Sequence, residues 1–347
     1  MNSNSPVISA PTGDDYPDYD VVVHSTVCLG RNLSSFRFPW RCSPEETAAA
    51  LSALTSAASA IGLEIFVSGQ LSPADRMLLA ERELISRAFL IDEASGFAFD
   101  PSRPVWVVFN EADHCSLRAR LPGLDLDRAW SYVSETDDKM GSLAGWAFDP
   151  DAGYLTTEAI RCGSGLSATV LLHLPALIMA GLAETAFKRA MEAGFVVGGA
   201  FAARGSSAGN LFGLSLPPSS GELERDALGR LSRAAKALAD YERRARNDIL
   251  GQSPGDILDI AGRAAGAAAY ARLVGRDEAA DIVSGLRFGL CTGVLEGQSV
   301  AGLTELWITS RMARSGTDGD EPDTAVRARV LRKATSAIRI ARGYIDV

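Results

Sequence analysis

A chain of 347 residues with 47% hydrophobic and 22% charged side chains has the makeup of a globular protein and room for two or three domains. Its formal charge of −9 excludes a general nucleic-acid binder, which would carry a basic excess. No run reaches the roughly 18 apolar residues that a membrane span requires; the longest, 168–183, is interrupted by Thr169 and His173.

Residues 1–19 are rich in Ser, Pro and Asp, lack the apolar core of a signal peptide, and read as a disordered acidic tail. From residue 20 to about 250, short β-branched runs mix irregularly with amphipathic stretches, which predicts an α+β domain. Strands are expected at 21–23, 64–67, 105–109, 195–198 and 211–216, and helices at 44–61, 73–89, 125–134 and 172–193. Ser43-Pro44 and Ser72-Pro73 are helix starts of the N-cap plus N1-proline type.

After Pro217-Pro218-Ser219-Ser220-Gly221 the pattern becomes helical. Leu223, Leu228, Leu231, Ala235 and Leu238 place one long amphipathic helix up to about 249. A break at Gly251-Gln252-Ser253-Pro254-Gly255 precedes a helical domain, 254–347, with helices expected at 256–274, 277–292, 298–313 and 323–344. Its small-residue run 261–271 allows close helix approach, within a bundle or between subunits. Five cysteines (28, 42, 115, 162 and 291), odd in number and without a CxxC pair, fit a reducing cytoplasm and no cysteine metal site.

Two segments carry the chemistry. Asn110-Glu111-Ala112-Asp113-His114 follows the strand at 105–109. Gly153-Tyr154-Leu155-Thr156 precedes Gly163-Ser164-Gly165-Leu166-Ser167 and His173-Leu174-Pro175-Ala176-Leu177. With Leu121-Pro122-Gly123-Leu124 and Gly209-Asn210-Leu211-Phe212, these resemble the phosphagen (guanidino) kinases, and most of all their bacterial protein-arginine kinase branch, over about residues 20–335. The resemblance implies a central antiparallel sheet flanked by helices, then an all-α domain used for dimerisation. It also implies in-line transfer of a phosphoryl group from Mg·ATP to a guanidinium, where positioning and charge neutralisation dominate.

This chain departs from that family at its charged positions. The clamp segment reads Ser25-Thr26-Val27-Cys28, with Thr26 and Cys28 in place of two phosphate-binding arginines, while Arg31 and Asn32 remain. Ser116, Ser167 and Gly198 stand for three further arginines, and Ala112 and Ala203 for the two carboxylates. A charged hydrogen bond contributes roughly 1.5–3 kcal/mol, and one lost transition-state donor costs about 10²–10³ in rate. The expectation is therefore a pseudokinase that works by binding a protein partner, either an arginine-containing protein or an active kinase homologue.

Two alternatives stand beside it: an active protein-arginine kinase with a rearranged clamp, and a cleft rebuilt for another anion or a peptide. Arg118, Arg120, Arg161 and Arg204 are the cations near enough to compensate. Glu111 is the nearest substitute base, though strand alternation would turn it away from Ala112. Asp113, His114 and His173 are expected to hold the scaffold. The phosphoarginine pocket of the branch leaves Arg327 and Arg332 here, with Asp323-Thr324 in place of its leading Arg-Asp, so a solvated basic helix face is the expected outcome.

Overall fold

The computed structural model describes residues 13–91, 93–199, 208–218, 222–312 and 322–344. In chain order the elements are β1 (Val22–Arg31), α1 (Pro44–Ala60), β2 (Glu64–Val67), α2 (Pro73–Glu81), β3 (Gly96–Phe99), β4 (Val105–Phe109), β5 (Cys115–Pro122), α3 (Leu126–Ala144), the short pair β6 (Phe148–Asp149) and β7 (Gly153–Tyr154), and β8 (Leu166–His173). There follow α4 (Pro175–Met179), α5 (Ala183–Glu192), β9 (Val196–Gly199), β10 (Leu211–Ser215), α6 (Glu224–Gln252), α7 (Pro254–Tyr270), α8 (Arg276–Cys291), β11 (Leu295–Glu296), α9 (Val300–Met312), α10 (Asp323–Ala334) and β12 (Arg339–Ile340).

The main sheet has the order β2-β3-β4-β5-β1-β8-β10-β9, and every pairing in it is antiparallel. Strand β1 alternates. Ser25, Val27, Leu29 and Arg31 are buried, whereas His24, Thr26, Cys28 and Gly30 are half-buried on the opposite face. Helices α1, α3 and α6 cover the buried face and build the main core with it. On the other face a second core forms only over β3 and β4, where Leu71, Leu79, Leu84 and Phe89 pack on Phe97, Phe99, Trp106 and Val108. Both of those strands are therefore buried on two sides and read as unbroken apolar runs. The rest of that face stays open.

Several expected boundaries move. Strand β5 was not anticipated, because Arg118 and Arg120 interrupt its apolar pattern, yet it alternates buried and half-buried like any one-sided strand. Residues 166–173 form a strand in full, so the helix expected from 172 is replaced by α4 and α5. Helix α2 stops at Glu81, short of 89, because Glu83 adopts a left-handed φ of 58°. Helix α3 runs ten residues past 134, from Ser134 to Ala144, since Val133, Thr136, Asp137 and Met140 continue a buried helical stripe through polar sequence. The last helix ends at Ala334, and β12 then pairs with β11.

The helical segment α7–α10 shares one continuous core with the sheet domain. Gly209, at φ +71°, makes the approach possible: a Cβ there would lie 2.9 Å from the Ala280 carbonyl of α8. His173 Nε2 is 2.8 Å from Ser284 Oγ, and the ring stands edge-on to Trp307. The fully buried Arg287 donates to the carbonyls of Tyr19 and Asp20 and lies against His173 Nδ1.

The expected disordered tail is thereby corrected at its C-terminal end. Asp14 accepts the N–H groups of Val300 and Ala301 at the start of α9, Asp18 pairs with Lys236 and Arg243, and Tyr19 is buried. Residues 1–12 lie outside the described residues. Among those described, no helix is long and apolar enough to cross a membrane.

Glu242 of α6 is fully buried, accepts the N–H groups of Ala176 and Leu177 at the start of α4, and pairs with Arg246 at 2.9 Å. Arg246 in turn reaches Asp20 at 3.1 Å. Truncating one partner strands a buried charge, so Arg246→Ala should cost about 3–5 kcal/mol. A urea-denaturation midpoint implying a loss under about 1 kcal/mol would contradict this account.

Candidate functional site

The open face of the sheet forms a cleft of about 560 Å³. Strand pleating decides what lines it. Thr26 and Cys28 come from β1, Ser116, Arg118 and Arg120 from β5, Ser167 and Thr169 from β8, Ser215 from β10, and Gly198 from β9. Register aligns Thr26 with Arg120 on one side and Thr169 on the other, and Cys28 with Arg118 and Ser167. The positions Thr26, Cys28, Ser116, Ser167 and Gly198, scattered in sequence, thus meet on one wall. Ser25 does not join them. It points into the packed face, where Oγ donates to Gly123 O at 2.7 Å and accepts Asp125 N–H at 3.2 Å.

Past Phe109 the chain leaves β4, and Asn110 turns it with a φ of 55°. Strand alternation ends there, so Glu111 and Ala112 both face the cleft, contrary to the expectation for Glu111. The Glu111 carboxylate is engaged at each oxygen: Oε1 accepts Ser86 N–H at 2.7 Å and Oε2 accepts from Arg118 at 3.1 Å. Asp113 accepts from Asn32 Nδ2 and from Thr157 N–H, both at 2.7 Å, and so ties β1 to the 155–157 loop. His114 is packed beneath, its N–H donating to Asn32 Oδ1 and its Nδ1 accepting from Leu33 N–H. His114 and His173 both belong to the scaffold.

Arg31 has a different role from the one its retention implied. Only 2% exposed, it makes a bidentate pair with Asp137 of α3, donates to Ser164 O at 2.7 Å, and lies 3.6 Å over the Tyr154 ring. It braces the loop that precedes β8 and lies outside the cleft. Gly165 is forced by that brace: at φ +65°, a Cβ would come within 2.7 Å of Arg31 Nη1.

Three of the four compensating arginines line the cleft, two of them from the sheet itself. Arg118 is held by Glu111, and Arg120 donates to Thr26 Oγ1 at 3.3 Å and to Arg82 O at 3.1 Å. The segment 81–84 supplying Arg82 O and Leu84 O also ties outward, through Arg82 to Glu305 of α9 and Glu81 to Arg276 of α8. Arg161 sits at the rim, paired with Glu158 at 2.8 Å. Ala203 and Arg204 lie outside the described residues.

Sequence reasoning missed Glu83, Trp106, Thr169 and Ser215 as lining residues; only strand alternation on β4, β8 and β10 could have signalled the last three. Among the described residues no group of three or more His, Cys, Asp or Glu side chains is placed to hold a metal ion.

Arg327 and Arg332 are not among the residues lining this cleft and lie off the solvated face expected for them. Arg327 is buried, donating to Ser310 O and Val274 O, and Arg332 donates to Ala271 O. They knit α10 to α9 and to the turn after α7.

The family described as "ATP:guanido phosphotransferase, C-terminal catalytic domain" matches residues 46–245. The chain belongs to this family. It is 31% identical over 305 residues to a protein-arginine kinase of Symbiobacterium thermophilum, covering 86% of each chain. It is 30% identical over 334 residues to the one of Syntrophomonas wolfei, covering 92% of this chain and 93% of the other. Among solved structures, a lombricine kinase superposes with a TM-score of 0.57 at 16% identity, over 70% of this chain and 72% of the other. The substrate-free duplicated taurocyamine kinase of Schistosoma mansoni gives 0.57 at 17% identity, and there the match spans 36% of the longer chain. These likenesses show that the fold is the family's: an α+β architecture built on an antiparallel sheet.

All three histidines of this family member are held toward the neutral form. Burial lowers the pKa of His24 and His173 well below the ordinary value, helped by Arg120 for the first and by Arg287 and Arg246 for the second. Burial lowers that of His114 too, against the opposing pull of Asp113. An unfolded chain takes up these protons near pH 6.5, so this stabilisation is complete above that pH and is lost below it. The expected slope is at most about 1.4 kcal/mol per pH unit for each histidine. Denaturation between pH 7.5 and 5 should show it, and His173→Gln should flatten it; a flat wild-type profile would refute the assignment.

Proposed function

We propose that this chain is a catalytically impaired member of the protein-arginine-kinase branch that acts by binding. The observation that carries the reading is the composition of the cleft wall. Where the family places its phosphate clamp, this wall presents Thr26, Cys28, Ser116, Ser167 and Gly198, and Ala112 stands at the base position. The remaining charges nearly cancel, with Arg118, Arg120 and Arg161 facing Glu83, Glu111 and Asp113. A triphosphate with its metal needs several preorganised cations and a dry, positive site. This donor set does not fit Mg·ATP. Glu111, the carboxylate nearest the lost base, is committed to Arg118 and to the Ser86 N–H.

The partner of such a protein is an arginine-containing protein or an active kinase homologue, with the helical segment as the surface for self-association. The names of the similar proteins support the branch, and the retention of scaffold residues such as Asp113, Asn32 and Arg31 supports a folded, binding-competent cleft. A second reading, an active kinase with a relocated clamp, draws support from Arg118 and Arg120 facing the cleft.

Incubation with Mg·ATP and an arginine-rich protein, read by mass spectrometry for phosphoarginine, separates the two. The expected result is no transfer, together with no calorimetric binding of Mg·ATP at millimolar concentration. Transfer that disappears in Glu111→Gln would overturn the proposal in favour of the relocated clamp.

A further inference from the structure

The antiparallel register places four side chains in one line across the sheet. Arg120 of β5 faces Thr26 of β1, Thr26 faces Thr169 of β8, and Thr169 faces Ser215 of β10. At about 4.8 Å between strands this row spans roughly 14 Å, and all four residues line the cleft. A guanidinium thus stands at one end and three hydroxyls continue from it. Thr169 and Ser215 share a hydrogen bond of 2.7 Å, so one of the two keeps a free donor and both keep free lone pairs, while Thr26 Oγ1 accepts from Arg120 at 3.3 Å and lies 3.3 Å from His24 Nδ1.

Charge along this edge is uneven. Arg118 has its carboxylate, Glu111, at 3.1 Å, whereas the nearest carboxylate to Arg120, Glu83, stands at 3.8 Å with half its side chain in solvent. Burial pulls the pKa of Arg120 below its ordinary value, and neighbouring Arg118 adds to the effect against Glu83. An anion at this end of the row would relieve both.

We propose that the cleft binds a small hydroxylated oxyanion of the sugar-phosphate class, with its phosphate against Arg120 and its hydroxyl groups along Thr26, Thr169 and Ser215. In a cleft whose formal charges nearly cancel, a phosphate monoester brings less uncompensated charge than a triphosphate, and Arg120, with its carboxylate only at 3.8 Å, is the cation left to meet it. Trp106, the largest aromatic side chain lining the described cleft, is 1% exposed and packed into the second core, so it offers a nucleobase no stacking face. The cavity of about 560 Å³ lies within the usual range for small-molecule sites, about 300–1,000 Å³. This inference rests on the reading that Mg·ATP is not the ligand of the cleft.

The test is binding to the full chain by calorimetry and thermal shift, with ribose 5-phosphate, ribose, inorganic phosphate and Mg·ATP as separate titrants. Ribose 5-phosphate should bind at least about tenfold more tightly than either inorganic phosphate or ribose. Arg120→Gln should weaken it by at least about tenfold, as loss of a charged hydrogen bond does. Thr169→Val, which keeps the volume of the side chain, should weaken it by about two- to tenfold, and Arg263→Gln, exposed on α7 outside the cleft, should leave it within twofold. Should Arg120→Gln fail to fold, Thr169→Val still decides the matter. Absence of ribose 5-phosphate binding at millimolar concentration, or binding indifferent to Thr169→Val and Arg120→Gln, overturns this inference and leaves the non-catalytic reading standing. Transfer of phosphate from Mg·ATP overturns that reading instead.

Discussion

Strand β1 is hydrogen-bonded along both edges, to β5 and to β8, while only one of its faces is packed. Everything about the cleft follows from that asymmetry. Val27 and Leu29 commit one face to α3 and the main core, and a one-residue slip would exchange them for Thr26 and Cys28. The register is therefore fixed by residues that never touch the cleft. The residues of β1 that do touch it, such as Thr26 and Cys28, lie outside that core and can change type without disturbing it. A family member can lose its clamp arginines in this way and keep its fold.

Arginine is scarce at the clamp positions of the cleft wall yet common within the scaffold. Arg31, Arg246, Arg287 and Arg327 are all buried, and each donates to backbone carbonyls, to carboxylates or to both. A buried guanidinium is tolerated when most of its donors meet acceptors of fixed geometry, although Nε of Arg287 is buried without one. Arg31 draws α3, the loop before β8 and Tyr154 to one point, and Arg287 draws the chain entering β1 to α8. These are long-range cross-links, and they hold the cleft open from behind.

Much of this was legible in the residues themselves. The Ser43-Pro44 start of α1, with its reciprocal Ser43–Glu46 cap, and the β-branched runs of β2 and β4 are locally determined. The motifs that resembled the phosphagen kinases led to the right family. What stayed hidden depended on partners far along the chain. Strand β5 was obscured because Arg118 and Arg120 look out of place in a strand until the open cleft in front of them is known. The extra turns of α3 become stable because Asp137 meets Arg31, 106 positions earlier. Glu111 was assigned to the wrong side because the left-handed turn at Asn110 is invisible to a rule of alternation.

The segment 81–84 has a mechanical consequence. Its carbonyls at Arg82 and Leu84 hold Arg120 and Arg118, while the side chains of Arg82 and Glu81 are moored to α9 and α8. With Glu83 in a left-handed conformation, the chain there is a short, taut bridge rather than a slack loop. The reach of both guanidinia is thus set by two anchorages, one in the sheet and one among the helices. The two cleft arginines and the helices α8 and α9 thus share one four-residue stretch of backbone as their common support.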